Sequence, residues 1–117
     1  MQFKDQLKTM DDLVAQGAIV EAVKLFFDEE STTSDYGDVL TGNKAQMIEK
    51  MEGFVSAIAK VNGITHHGTI VEGNVSASEF TFDFDMKDDS RILWHEIIKR
   101  EWNDAGFVSK EEYFKAG

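Results

Sequence analysis

Glu96 keeps unusual company. It lies in Arg91–Trp102, RILWHEIIKREW, two positions from Trp94 on one side and from Ile98 on the other. No Gly, Pro or Asn interrupts that stretch. Successive side chains of a β-strand point to opposite faces, so Ile92, Trp94, Glu96, Ile98, Arg100 and Trp102 share one surface. Arg91, Leu93, His95, Ile97, Lys99 and Glu101 share the other. At about 3.3 Å per residue the strand spans roughly 40 Å and must twist and bend. If the even face is the concave one, Glu96 sits in a largely apolar hollow. A carboxyl group there resists ionisation and, protonated, donates a hydrogen bond; ionised, it needs a partner such as Arg100 on the same face. Two readings stand side by side: an acid or polar anchor for a ligand, or a structural ion pair with Arg100 or a neighbouring strand. Trp94 and Trp102 either line a ligand pocket or fill the core.

Other residue types narrow the chemistry. His66 and His67 are adjacent in a strand and point to opposite faces, so at most one enters a pocket, and the two cannot chelate one metal. His66 with Glu96 is the remaining metal-ligand pair, and no metal or other cofactor is expected. His95, with Leu93 and Ile97, belongs to the odd face and to a subunit interface there. Tyr36 and Tyr113 offer phenolic hydrogen bonds. Asp35, just before Tyr36-Gly37, caps a turn on its plainest reading. The chain has no cysteine, which removes disulfides, thiolate catalysis and sulfur-ligated metals. It contains no Gly-rich phosphate loop, nucleophile elbow or zinc-protease motif.

The 117 residues fit a single domain, 1–117, and the 42% hydrophobic and 29% charged shares are those of a globular chain. Twelve basic against 22 acidic residues give a net charge of −10. That argues against nucleic acid, whose phosphates need a basic footprint, and against an anionic membrane surface. No run approaches the roughly 20 apolar residues of a bilayer span. The first residues lack the apolar core of a signal peptide, so a cytoplasmic location is expected.

The elements that must position these residues follow from periodicity. Phe3, Leu7, Met10, Leu13 and Val14 predict one amphipathic helix, and Ile19, Val20, Val23, Phe26 and Phe27 a second, with Gly17 between them. The acidic run Asp28–Glu30 is unfavourable at a helix C-terminus, so the helix stops before it. Ser31–Tyr36 predicts a short strand and residues 37–42 a loop. Asn43 and Gln46 resemble a capping box that opens a third helix, with an apolar stripe to Ile58 and a stop at Asn62-Gly63. A β-meander follows: Ile64–Glu72, a Gly73-Asn74 turn, Val75–Met86, the turn 87–90, Arg91–Trp102, the turn Asn103–Gly106 and Phe107–Phe114. Helices first and antiparallel strands after them are an α+β order.

This order resembles the nuclear-transport-factor-2-like, or cystatin-like cone, superfamily, and within it small SnoaL-like and ketosteroid-isomerase-like domains. The local matches are the Gly17 break, the passage LFFDEESTTSDYGDVLTGNKAQM and the terminal hairpin KREWNDAGFVSKEEYF. The resemblance covers nearly the whole chain. It implies a strongly curved antiparallel sheet wrapped on helices, a pocket at the wide end and a homodimer through the outer sheet face. It also implies that Asp35 occupies the general-base position of the isomerase-like enzymes. Their oxyanion donors fall near Met10 and Ile98, neither of which donates a hydrogen bond, so steroid isomerisation by that route is not expected. The function expected is a pocket for a small apolar or carbonyl compound, with cofactor-free isomerase, cyclase or dehydratase chemistry. Asp35 would be the base, Glu96 the acid or anchor, and Tyr36, His66, Trp94 and Trp102 the walls. The alternative is a non-catalytic binding or dimerisation module.

Overall fold

The structure is a computed structural model that describes residues 3–116. Three helices, α1 (Lys4–Ala15), α2 (Ile19–Phe26) and α3 (Lys44–Ser56), pack on one sheet. Its strands are β1 (Phe27–Asp35), β2 (Asp38–Thr41), β3 (Ile58–Glu72), β4 (Val75–Met86), β5 (Arg91–Trp102) and β6 (Val108–Lys115). They lie in the order β2-β1-β6-β5-β4-β3. Every neighbouring pair is antiparallel except β1 with β6, which run parallel. This is an α+β fold with a six-stranded mixed sheet.

Local chemistry sets the boundaries. Leu7, Met10 and Val14 bury one face of α1, and Gly17 turns the chain at a φ of +83° that side-chain-bearing residues disfavour. Helix α2 stops at Phe26 because Phe27 is extended and fully buried, so the acidic run continues as strand. Residues 27–30 thus belong to β1, four residues earlier than periodicity predicts. The cap forms in a shifted version of the box: Asn43 Oδ1 accepts from the Gln46 amide at 2.9 Å, and Gln46 Oε1 reaches one residue past the N-cap to accept from the Gly42 amide at 2.7 Å.

Two expectations are corrected. The loop expected over 37–42 contains β2, because Tyr36 (φ +49°) and Gly37 (φ +89°) make a tight turn that pairs Asp38 with Asp35. The third helix ends at Ser56, and Ile58–Gly63 is strand paired to the far end of β4. Val61 opposite Phe84 and Ile64 opposite Phe82 supply cross-strand contacts that a lone helical turn would forgo.

On β4, Ser76, Ser78, Phe80, Phe82 and Phe84 are buried while the intervening residues are partly exposed. On β5 the even face is the inner one: Ile98, Arg100 and Trp102 are buried, and Leu93 on the odd face is 59% exposed. Trp102 stacks on Phe3 at 5.2 Å between ring centres and donates from Nε1 to Ser76 Oγ at 2.9 Å. Each large apolar side chain buried this way stabilises the fold by roughly 1.5–3 kcal/mol. Register shifts at three points along β3 bend the sheet. Among the described residues no helix is long and apolar enough to cross a membrane.

A carboxylate-bearing cavity in the cone

Between the inner face of the sheet and the helices lies a cavity of about 610 Å³, within the range of small-molecule sites. Its walls are mostly apolar: Met10, Val14, Ala22 and Val23 from α1 and α2, Met47, Met51 and Phe54 from α3, and Phe82, Phe84 and Ile98 from the sheet. Into this lining project Asp35 from β1, Glu96 and Arg100 from β5, and Glu111 and Tyr113 from β6. Strand pairing explains the convergence. Arg100 is opposite Glu111 and Ile98 opposite Tyr113 across β5 and β6, and Tyr113 is opposite Asp35 across β6 and β1. Directly paired residues share a face.

The ion pair between Glu96 and Arg100, one of the two readings of that face, does not form. Arg100, 1% exposed, donates from Nη1 to Asp11 Oδ1 at 2.7 Å and from Nε to Glu111 Oε2 at 2.8 Å. Burial opposes its charge, but Glu111 and Asp11 outweigh that and hold the guanidinium more basic than usual. Asp11 Oδ2 also accepts from Ser78 Oγ at 2.7 Å and Thr69 Oγ1 at 3.0 Å. Glu111 Oε1 accepts from Tyr113 Oη at 2.5 Å. Burial first, then the charge and hydrogen bond of Glu111, push the Tyr113 phenol well above its ordinary pKa, so it stays protonated.

Glu96 is left without a cation. Among the described residues its carboxyl group makes no hydrogen bond or ion pair. Burial, the Glu111 charge and the Asp35 charge, in that order, push its pKa from 4.5 up to about 7. Near neutrality this group divides between acid and carboxylate, the condition for moving a proton in either direction.

The sequence-derived candidates separate. Asp35, Glu96 and Trp94 line this cavity, Asp35 as an exposed residue at the end of β1 and Glu96 as a partly buried one. Trp94, 43% exposed, lies parallel to Phe54 with ring centres 5.8 Å apart, at the rim. Trp102 is a core residue against Phe3, away from the lining. Tyr36 is in the β1–β2 turn, where its Oη accepts from the Lys115 amide at 2.8 Å. His66, Phe80 and Glu96 stand in one row across β3, β4 and β5. The buried Phe80 ring, stacked on His66 at 4.6 Å, separates His66 from Glu96. His66 instead bonds Thr69 Oγ1 at 2.7 Å and lies 3.6 Å from Asp11 Oδ2. Among the described residues no three His, Asp or Glu side chains gather as metal ligands.

Glu111 and Asp11 are the site residues that sequence reasoning did not single out, and Tyr113 was named there as a phenolic donor without a place in the site. Counting the terminal hairpin from its turn does not pair Glu111 with Arg100, because the register shifts between Glu101 and Trp102. Asp11 is 89 residues from Arg100, and its one signal is a carboxylate flanked by the apolar positions Met10 and Val14.

No protein-family model and no curated protein matches the chain. Solved structures do. A protein from Mesorhizobium loti described as a SnoaL-like polyketide cyclase superposes with a TM-score of 0.82 at 19% identity, covering 97% of this chain and 99% of that one. An uncharacterised cystatin-fold protein from Novosphingobium aromaticivorans gives 0.83 at 12% identity over 98% and 99%. A ketosteroid-isomerase-like-fold protein from Catenulispora acidiphila, solved with trimethylamine, gives 0.70 at 14% over 89% and 80%. The chain therefore has the nuclear-transport-factor-2-like cone fold, the fold of SnoaL-like and ketosteroid-isomerase-like domains, and it encloses a pocket.

Proposed function

We propose that the cavity binds an apolar carbonyl compound and catalyses cofactor-free proton transfer at the carbon beside the carbonyl, as an isomerase, cyclase or dehydratase does. Asp35 is the base and Glu96 the acid. Asp35 takes the proton from carbon, the C–H electron pair becomes the C=C bond of the enol, and Glu96 gives its proton to the carbonyl oxygen. Asp35 ends protonated and Glu96 ionised; return of the proton to the same or another carbon, and of the oxygen's proton to Glu96, restores both. The observation that carries this reading is Glu96, without a partner among the described residues and with its pKa pushed up to about 7, in a mostly apolar cavity that Asp35 also lines.

The test is deuterium uptake from heavy water at the α-carbons of trans-2-decalone, followed by mass spectrometry. The chain should accelerate uptake over buffer, and Glu96→Gln or Asp35→Asn should each lower the rate by about 10²–10⁴-fold. Uptake no faster than buffer, or unchanged in both variants, sinks the reading. The rival is a binding-only module, favoured by one observation: the Tyr113 hydroxyl proton is committed to Glu111 and does not serve a ligand. We also propose that the outer sheet face associates with a second copy of the chain, tested below.

A further inference from the structure

His67 and His95 are drawn together across the outer face of the sheet, and the proposed chemistry uses neither. His67 falls in the register shift between His66 and Gly68 on β3, and such a bulge re-aims a side chain. Its Nε2 bonds Thr81 Oγ1 at 2.7 Å. Thr81 stands directly opposite His95, whose Nε2 bonds Glu79 Oε2 at 2.5 Å. The two imidazoles thus meet over the β4 residues that separate their strands, with ring centres 5.3 Å apart and planes at 64°. Both reach solvent: His67 is exposed and the His95 side chain is 39% exposed.

We propose that His67 and His95 together bind one divalent cation of the zinc, copper or nickel class, with Glu79 as the carboxylate that orients His95. An imidazole bound at about 2.0–2.1 Å has its ring centre roughly 3.2 Å from the metal, so two at the tetrahedral angle stand about 5.2 Å centre to centre. The observed separation is that of two ligands on one ion. A carboxylate only accepts, so His95 Nε2 donates to Glu79, and Nδ1 keeps the lone pair that a metal needs. Thr81 Oγ1 can accept from His67 Nε2 in the same way, which leaves the His67 Nδ1 equally free. A metal-bound imidazole commonly donates its other N–H to a carboxylate, which fixes the ring and raises its basicity. Among the described residues no third His, Asp or Glu completes a closed set, so water fills the remaining positions and the ion is exchangeable. The charges nearby favour a cation. Glu79 offsets part of its charge, and Arg91, on the same face of β5, is already held by Asp83 through Nε at 2.9 Å and Nη2 at 2.7 Å. Imidazole nitrogen selects zinc, copper or nickel over magnesium and calcium, which prefer oxygen.

The test titrates the full chain with zinc chloride by calorimetry in low salt, where chains carrying −10 each repel one another. One zinc per chain is expected, and magnesium in its place should give no one-to-one binding. Glu79→Gln should weaken zinc about 10–100-fold, the usual loss when such an outer partner is removed. His67→Ala or His95→Ala should each abolish the one-to-one binding while circular dichroism stays that of the parent. Long-range ¹H–¹⁵N spectra distinguish the 3 histidines: the Nδ1 resonances of His67 and His95 should move with zinc, and those of His66 should not. No binding, binding that survives either histidine variant, half a zinc per chain, or a response confined to His66 overturns the site. An unchanged affinity in Glu79→Gln removes the orienting role of that carboxylate. None of these results depends on whether the cavity turns over a ligand.

Discussion

A carboxyl group with a folded-state pKa of about 7 makes stability depend on pH in the direction opposite to a salt-bridged acid. Glu96 binds its proton more tightly in the folded chain than in the unfolded one, where its value is 4.5. Below that pH both states are protonated and the group is neutral in its effect. Between 4.5 and about 7 the unfolded chain releases the proton first, so this contribution to stability falls as pH rises and is lost above 7. Glu96→Gln keeps the shape and removes the titration. Thermal melts should therefore show the variant matching the parent near pH 4.5 and exceeding it near pH 8, by about 1–2 kcal/mol after solvent screening. A constant difference across that range would mean that Glu96 finds a partner on ionising. Arg100 responds differently. Asp11→Asn removes one of its two carboxylates inside the protein, and breaking such a buried pair costs about 3–5 kcal/mol. Denaturant unfolding that shows under 1 kcal/mol, roughly the worth of an exposed pair, would contradict the buried geometry.

Two glycines show what each element demands of its backbone. Gly17 joins α1 to α2 at φ +83°, and a Cβ there would meet nothing within 4 Å. Its requirement is conformational alone, so Gly17→Ala should destabilise by about 1–2 kcal/mol. Gly53 lies inside α3 with no positive φ and the same open space. Gly53→Ala should stabilise by about 0.5–1 kcal/mol, since it lowers the freedom of the unfolded chain. Urea unfolding of both variants checks the pair, and equal signs would refute the distinction. The Gly17 break was legible because it interrupts two helical periods. The alternating Phe80, Phe82 and Phe84, and the even face of β5, were legible for the same reason, since period two depends on neighbours alone. The strand at 58–63 was not, because its pairing with β4 is a long-range contact and Ile58 continues the helical stripe of Phe54 and Val55. The parallel pairing of β1 with β6 joins opposite ends of the chain, and no local period reports it. Glu96 announced itself by its apolar neighbours, whereas the partners that take Arg100 away from it depend on a bulge and on tertiary distance.

For the molecule as a whole, the open question of assembly lies on the side of the sheet away from the helices. There Leu93 is 59% exposed, and Ile97 pairs with Phe114 on the same face. Beside this apolar row the charges alternate in sign: Lys99 reaches Glu112 at 3.8 Å, and Lys110 approaches both Glu112 and Glu101 at 3.7 and 3.9 Å. A two-fold interface sets a surface against itself, so a single-sign patch would repel its copy, while a mixed ladder around an apolar centre complements itself. β5 and β6 are interior strands of the sheet, so contact would be face to face and would need no unpaired edge. The net charge of −10 on each chain works against association at long range and is screened within about 8 Å at physiological salt. Sedimentation should therefore show a dimer that dissociates as salt is lowered, and Leu93→Glu should shift it to monomer without changing the helix and strand content seen by circular dichroism. A chain that stays monomeric at the highest attainable concentration and salt would leave Leu93, Ile97 and Phe114 as ordinary exposed apolar residues, and the cavity would then have to be complete within one chain.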